Sequence, residues 1–258
     1  MTDTILVERR GRVTIFTINR PQAMNALDRA THFALAAHFD AFSADPDQWI
    51  AVLTGAGDRA FCAGNDLKQQ PAPGEALVPP TGFGGLTARF DLAKPVIAAV
   101  GGIAFGGGFE MALACDMVVA DETARFALPE VRVGLAAMAG GLLRLRAHVG
   151  PKRAAELVMT ARRIAADEAL ALGLVNHVVP AGTALDAALA VADTLLLASP
   201  LALRASKAVM ARALDGDVEA AMLPHLDWPE IAAMMGSEDA KEGPRAFAEK
   251  RAPAWQGR

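Results

Sequence analysis

The sequence predicts an α/β fold with a helical C-terminal region, and two observations support this prediction. Short apolar, β-branched runs alternate with segments of helical periodicity through the first half of the chain. After Pro180 the chain becomes rich in Ala and Leu and reads as helical to its end. Continuous apolar strands joined through helices indicate a sheet that is covered on both faces.

The first elements are predicted to be a β-hairpin and a long helix. Two β-rich runs, Ile5–Arg10 and Val13–Asn19, flank Gly11, which is typical of a hairpin turn. Asp28 can cap the N-terminus of a helix that continues to about Asp45, because its carboxylate accepts hydrogen bonds from free N–H groups there. The apolar face of this helix contains Phe33, Leu35, Phe39 and Phe42.

The later elements follow from apolar runs, glycines and prolines. The predicted strands are Ile50–Leu53, Pro95–Val100, Met117–Ala120 and Leu174–Val179. Predicted helices run from Gly106 to about Cys115, from Pro151 onward, from Ala166 to Leu172, and after Pro180 with breaks at Pro200, Pro224 and Pro229. The pattern becomes entirely helical near residue 195, so we divide the chain into an α/β core, 1–195, and a helical region, 196–258.

Composition restricts the classes of function. A chain of 258 residues, 53% hydrophobic and 21% charged, can bury a large core and is not of the disordered class. A net charge of −4 provides no broad basic surface for nucleic acid or anionic lipid. The chain has no signal-peptide pattern and no membrane-length apolar run, so we expect a cytoplasmic protein. Cys62 and Cys115 form no CxxC pair, and we expect no metal site.

Three segments could carry chemistry: Ala60–Lys68, Gly101–Glu110 and Phe126–Glu130. Small residues in the first segment let a ligand approach the backbone closely. Consecutive glycines at the helix start in the second leave N–H groups free to stabilise negative charge. Each segment alone also fits an ordinary loop or first-turn residue.

The combination of Glu110 and Glu130 is more informative. These residues are twenty positions apart, and we expect one helix and one strand between them. Such a unit can bring both carboxyl groups to one edge of a sheet. Two nearby carboxyl groups cannot comfortably both ionise, so one can hold a proton while the other remains a base. Adding water to a double bond requires one group of each kind.

Several motifs occur in an order that resembles the enoyl-CoA hydratase/isomerase (crotonase) family. They are AFCAGNDLK, KPVIAAVGG, GGGFE, LPEVRVG and the C-terminal AFAEKR, and together they cover nearly the whole chain. The stretches GFGGLTARFDLAKPVIAAV and SEDAKEGPRAFAEKR are most similar to the carnitinyl-CoA dehydratase branch. The resemblance implies a spiral of ββα units and a hydro-lyase acting on an acyl-CoA thioester in fatty acid metabolism.

The resemblance also implies roles for individual residues. The N–H groups of Asn65 and Gly107 would form an oxyanion hole around the thioester oxygen. Glu130 would give a proton to Cα, while Glu110 would hold and activate the water. The implied acyl-CoA contacts are Ala63, Asn65, Asp66, Leu67, Lys68, Gly107, Phe247 and Lys250, the last two often reaching a neighbouring subunit. The family needs no cofactor beyond the coenzyme A of the substrate, and it usually forms homotrimers or homohexamers.

Departures from the family pattern keep several alternatives open. Asn65 stands where many family hydratases have a small residue and the carnitinyl branch has Trp. The stretch 136–141 is apolar, and the chain has no tyrosine, so we favour an uncharged acyl group over a trimethylammonium group. A Δ3,Δ2-enoyl-CoA isomerase, a carnitinyl-CoA dehydratase-like reaction and a non-catalytic CoA-binding protein remain alternatives. The glycine pattern from Gly101 does not fit a nicotinamide-binding dehydrogenase.

The histidines and serines point to no further chemistry. His32, His38, His148, His177 and His225 have no metal-ligand spacing, and we expect them at the surface or partly buried. None of the serines lies in a GxSxG motif, which argues against a serine hydrolase.

Overall fold

The computed structural model describes residues 3–68, 75–213 and 228–258. In these ranges the strands are β1 Ile5–Arg10, β2 Val13–Ile18, β3 Ile50–Gly55, β4 Ala60–Cys62, β5 Val96–Val100, β6 Ile103–Phe105, β7 Met117–Asp121, β8 Arg125–Ala127, β9 Ile164–Ala165 and β10 His177–Val179. The helices are α1 Arg29–Ala44, α2 Gly107–Ala114, α3 Gly141–Thr160, α4 Ala166–Ala171, α5 Ala184–Leu196, α6 Pro200–Ala213, α7 Pro229–Met235 and α8 Glu238–Ala248.

The larger sheet has six strands in the order β1-β2-β3-β5-β7-β10. The first pair is antiparallel, and every other pair of neighbours is parallel. Strand β3 shows how both faces are covered: Ile50 and Val52 pack in one cluster with Ala188 of α5, while Ala51 and Leu53 pack in another with residues of α1. The predicted sheet covered on both faces is therefore confirmed.

A second sheet of four short strands, β4-β6-β8-β9, was not predicted from the sequence. Each of its first three strands follows a strand of the larger sheet, so the chain steps from one sheet to the other and then enters a helix or turn. Gly102, between β5 and β6, has φ +66, and a Cβ there would lie 2.2 Å from the Arg59 carbonyl oxygen. The crossing therefore requires glycine, and the repeated ββα step confirms the predicted spiral.

Most predicted boundaries agree with the structure, with two corrections. Helix α3 begins at Gly141, and Pro151 starts only its second part, after a break at Gly150 where φ is +76. The last strand is short: Leu174 and Val175 are buried, but only His177–Val179 pair with β7. Asp28 caps α1 as predicted, since its side chain accepts a hydrogen bond from the Thr31 N–H.

The C-terminal region is helical, and Pro200 and Pro229 begin α6 and α7 as predicted breaks. The predicted break at Pro224 lies outside the described residues. The division at residue 195 stays a prediction. No single helix in the described ranges is long and apolar enough to cross a membrane; α5 and α6 pass a test of length and composition only as a pair, bent by 107°.

Candidate active site

Glu110 lies in the first turn of α2, immediately after the glycine run, and only 3% of its surface is exposed. Its Oε1 accepts a 2.8 Å hydrogen bond from the Gly141 N–H at the start of α3. A Cβ on Gly141 would lie 2.9 Å from the same oxygen. Glycine at position 141 thus provides both the donor and the space for this carboxyl group.

Burial raises the pKa of Glu110 from 4.5 to about 7, and repulsion from Glu130 acts in the same direction. The Gly141 N–H and the nearby Arg144 guanidinium oppose this shift. A carboxyl group with a pKa near neutrality can hold or release a proton under ordinary conditions, which is the property of a general acid or base.

Glu130 begins a short 3-10 helix, Glu130–Val133, that follows β8. A Cβ on Gly106 would lie 2.9 Å from its Oε1, so this carboxyl group reaches the N-terminus of α2. Its Oε2 is buried and has no hydrogen-bond partner among the described residues. Burial raises the pKa of Glu130 as well. One helix and two strands, rather than one, separate the two glutamates, because β8 was not predicted.

Main-chain donors of two segments meet beside this pair. Leu27 pairs with the chain on either side of Asn65: the Leu27 N–H donates to the Gly64 carbonyl, and the Asp66 N–H donates to the Leu27 carbonyl. The Asn65 N–H therefore points away from Leu27, and it makes no hydrogen bond to the described residues. A Cβ on Gly64 would lie 3.4 Å from the Gly107 nitrogen. The Gly107 N–H, at the start of α2, also donates to none of the described residues.

In the segment after Asn65, Asp66 is held by an ion pair, and the two residues that follow it are exposed. Asp66 forms a 3.0 Å ion pair with Arg20, which is 8% exposed and also pairs with Asp28 at 2.9 Å. Leu67 and Lys68 are exposed. Ala63 is half-buried, and its N–H donates to the Met24 carbonyl. The exposed side of this segment is available to a ligand, while Arg20 anchors the other side.

The two predicted C-terminal contact residues are both exposed. Phe247 is 87% exposed at the end of α8, and Lys250 is exposed with φ +53. In the part of the chain that the structure describes, no hydrogen bond joins either side chain to the glutamates or Asn65. Their contact with coenzyme A stays a prediction.

Sequence reasoning missed three residues around the pair. His32 was expected at the surface or partly buried, but it is fully buried and its ring contacts Phe83 edge-on at 4.4 Å. The Phe83 ring packs on Gly107, since a Cβ there would lie 2.3 Å from it. The sequence could have indicated Gly141, because two consecutive glycines at the start of a helical run leave main-chain N–H groups free to bind an acid. No local pattern marked His32 or Phe83.

The buried carboxyl group of Glu110 and the half-buried one of Glu130 both have raised pKa values, and they lie next to main-chain N–H groups that donate to none of the described residues. This arrangement is typical of enzymes that move protons beside a carbonyl group. The model of the enoyl-CoA hydratase/isomerase family matches residues 8–258, and the chain belongs to this family. It is an enzyme of the hydro-lyase type, as its relatives indicate.

The relatives span the whole chain. A carnitinyl-CoA dehydratase of Salmonella typhi is 45% identical, with 100% of each chain covered. An enoyl-CoA hydratase structure from Mycobacterium marinum has a TM-score of 0.92 at 43% identity over 99% of both chains. A carnitinyl-CoA hydratase structure from Mycobacterium avium has a TM-score of 0.78 at 46% identity over 100% of both chains. The predicted family, branch and fold are confirmed.

Proposed function

We propose that the protein reversibly adds water across the 2,3 double bond of an enoyl-CoA thioester, with Glu110 and Glu130 as the acid/base pair. The observation that carries this proposal is that the carboxyl groups of Glu110 and Glu130 both reach the start of α2, next to the N–H groups of Asn65 and Gly107, which donate to none of the described residues. Among the residues that the structure describes, no cationic side chain lies within hydrogen-bonding distance of either acid. Such a pair is suited to exchanging protons rather than to stabilising the fold.

The geometry supports a stepwise reaction. The Asn65 and Gly107 N–H groups donate to the thioester oxygen, where negative charge builds as an enolate forms. One well-placed donor of this kind is worth about 3–4 kcal/mol in acyl-transfer enzymes. Glu110 orients the water and accepts its proton as the oxygen bonds to C3. Glu130 delivers a proton to C2, and the enolate collapses to the saturated 3-hydroxyacyl thioester.

The coenzyme A part of the substrate would follow the exposed segment from Ala63 to Lys68. We infer that Phe247 and Lys250 complete this binding surface from a neighbouring subunit, because both are exposed and therefore open to contact with another chain. We propose a homotrimer or homohexamer on this basis. We also propose that the enzyme acts in the cytoplasm, in fatty acid metabolism, and requires no cofactor or metal.

Substitution of each glutamate tests the proposal directly. We expect Glu110→Gln and Glu130→Gln each to slow hydration of (E)-but-2-enoyl-CoA by at least about 10²-fold, because positioned acid/base groups contribute 10²–10⁴-fold. Hydration is followed as loss of the conjugated thioester absorbance. The matched control is Glu122→Gln, since Glu122 is exposed and its N–H donates to the Val179 carbonyl of β10, which is not part of the proposed site. Near-normal rates in either active-site variant would contradict the assignment.

Dehydration of a 3-hydroxyacyl-CoA of the carnitinyl type is a second candidate, favoured by the 45% identity to a carnitinyl-CoA dehydratase. The same two glutamates would run the reaction in the reverse direction. A Δ3,Δ2-enoyl-CoA isomerase would need only proton transfer between carbons. Incorporation of oxygen from labelled water into a 3-hydroxyacyl product reveals hydration, and loss of a labelled 3-hydroxyl oxygen from the substrate reveals dehydration; isomerisation gives neither.

A further inference from the structure

His32 lies next to both residues that supply the proposed oxyanion hole: it contacts Asn65 directly and Gly107 through Phe83. Its ring is fully buried in α1, and its Nε2 lies 3.4 Å from Oδ1 of Asn65. The same ring contacts Phe83 edge-on at 4.4 Å, and Phe83 packs directly on Gly107. The His32 side chain therefore contacts Asn65, which supplies one main-chain donor, and Phe83, which packs on Gly107, the residue that supplies the other.

The protonation of the His32 ring follows from its second contact. Nδ1 accepts a 3.0 Å hydrogen bond from the Gly84 N–H, so Nδ1 carries no proton. Burial lowers the pKa of His32 to about 4, although the Asn65 hydrogen bond and the charge of Asp28 oppose this shift. The ring is thus neutral near pH 7, and its single proton must lie on Nε2.

The tautomer of His32 decides which way the Asn65 amide points. A protonated Nε2 can only donate, so the amide must offer its oxygen to His32 and direct its NH2 group elsewhere. This NH2 group makes no hydrogen bond to residues 3–68, 75–213 or 228–258, and it is not among the buried polar atoms that lack a partner. It is therefore accessible from the open side of the site.

We propose that His32 is a positioning residue that orients the Asn65 amide as a hydrogen-bond donor to the acyl group, so that the enzyme selects enoyl-CoA thioesters with an oxygen acceptor close to the double bond. The proposal rests on the proposed hydratase function. Asn65 is itself an oxyanion residue, so its short side chain reaches only acyl atoms near the thioester. A site that presents a donor discriminates against a substrate that leaves this donor unpaired.

A matched pair of substrates tests the selection. (E)-4-hydroxybut-2-enoyl-CoA and (E)-pent-2-enoyl-CoA differ only by a hydroxyl or a methyl group on C4. We expect kcat/KM for wild type to favour the hydroxyl substrate by about tenfold, the effect of one hydrogen bond. In Asn65→Ala this ratio should fall to about one. A wild-type preference for the methyl substrate, or a ratio that Asn65→Ala does not change, would overturn the proposal.

Two substitutions at His32 separate positioning from simple packing. Gln places an amide NH2 near the position of Nε2 and keeps the donor to Asn65, whereas Asn places an oxygen near Nδ1 and keeps only the acceptor for Gly84. We expect His32→Gln to retain the wild-type substrate ratio and His32→Asn to lose it about tenfold. Equal loss in both variants would show that the histidine only fills space and would overturn the positioning role.

A control variant at His38 and the hydratase activity of the wild type distinguish failure of the positioning role from failure of the proposed function. His38→Gln changes a half-buried histidine of the same helix that contacts Phe16, and it should leave the ratio unchanged. If a His32 variant does not fold, the tautomer of His32 in the wild type, read from the 15N chemical shifts of its ring, tests the positioning role, and a proton on Nδ1 would overturn it. If wild type hydrates neither thioester nor (E)-but-2-enoyl-CoA, the proposed hydratase function itself is wrong, and the selectivity proposal falls with it.

Discussion

Two groups of carboxyl groups in this molecule have opposite surroundings. In α2 and the turn after β8, the buried Glu110 accepts a main-chain hydrogen bond from Gly141, the half-buried Glu130 has a buried oxygen with no partner among the described residues, and both pKa values are raised. In α8, Glu242 accepts hydrogen bonds from Arg245, Arg251 and the Ala254 N–H, and these lower its pKa.

Asp239, one turn before Glu242, belongs to the same well-partnered group. It is 2% exposed and accepts hydrogen bonds from the Gln256 N–H at 2.7 Å, the Gly257 N–H at 3.0 Å and the Ser199 hydroxyl at 3.2 Å. Its role is to hold the C-terminal tail against α6 and α8. The comparison shows that burial alone does not decide what an acid does: donors around it make it structural, and their scarcity leaves its proton exchangeable.

Of the changes that test this comparison, we expect the largest loss of activity from a substitution that fills the space beside Glu110. In Gly141→Ala the new Cβ would lie 2.9 Å from Oε1 of Glu110, so the carboxyl group must move. Since a displacement of about 1 Å can cost roughly 10²-fold in rate, we expect kcat for hydration to fall by about that factor. Gly236→Ala is the control, because its Cβ would meet only the Ala232 carbonyl oxygen at 3.3 Å. Equal rates for both variants would argue against a tightly held Glu110.

The pH dependence of the rate should reveal the raised pKa values of the pair. The proposed reaction needs one protonated and one ionised carboxyl group. Glu110 must be ionised to accept the proton of water, and its pKa is about 7, so we expect kcat/KM to fall about tenfold per pH unit well below neutrality, as Glu110 is protonated. On the alkaline side the rate should fall when Glu130, whose pKa burial also raises, loses the proton that it gives to C2. These limits belong to the pair rather than to either residue. A profile that stays flat from about pH 5 to 9 would contradict this expectation.

The smallest effects concern stability, and the same chemical change should act with opposite sign in the two regions. Because the pKa of Glu110 rises from 4.5 to about 7 on folding, its contribution to stability is present below pH 4.5 and is lost as the pH rises through 7. Glu110→Gln keeps an acceptor for Gly141 but carries no charge. We therefore expect it to be more stable than wild type at pH 8 by up to about 3 kcal/mol, and little different at pH 4.

Asp239→Asn is the counterpart in the C-terminal region. One carboxylate oxygen becomes an NH2 group that faces a main-chain N–H, so a buried donor loses its acceptor. We expect a loss of about 2–3 kcal/mol in the free energy of unfolding. Urea unfolding of wild type and both variants measures the two changes on one scale. If both substitutions destabilise the protein at pH 8, the proposed contrast between the two regions is wrong.

The sequence predicted the larger sheet well because its strands are long enough to show their pattern. Strands β3 and β5 are continuous apolar runs, and Asp28 marks the start of α1 by its chemistry. Glu110 was predicted beside a glycine run for a similar local reason. The short strands β4, β6 and β8 were missed, because runs of three residues carry too little pattern to separate strand from loop.

The sequence by itself determined the local structure of this protein: which segments form strands of the larger sheet, where the first helix begins, and which carboxyl groups and glycine N–H groups lie at the start of a helix. Only the tertiary structure decided that Gly141 supports Glu110, that Gly106 faces Glu130, and that His32 joins Asn65 to Phe83. These contacts join residues far apart in the chain, and they exist only because the steps between the two sheets bring their loops to one place. The conformational preferences of neighbouring residues cannot fix distances between residues far apart in the chain. Close packing in the folded molecule fixes them.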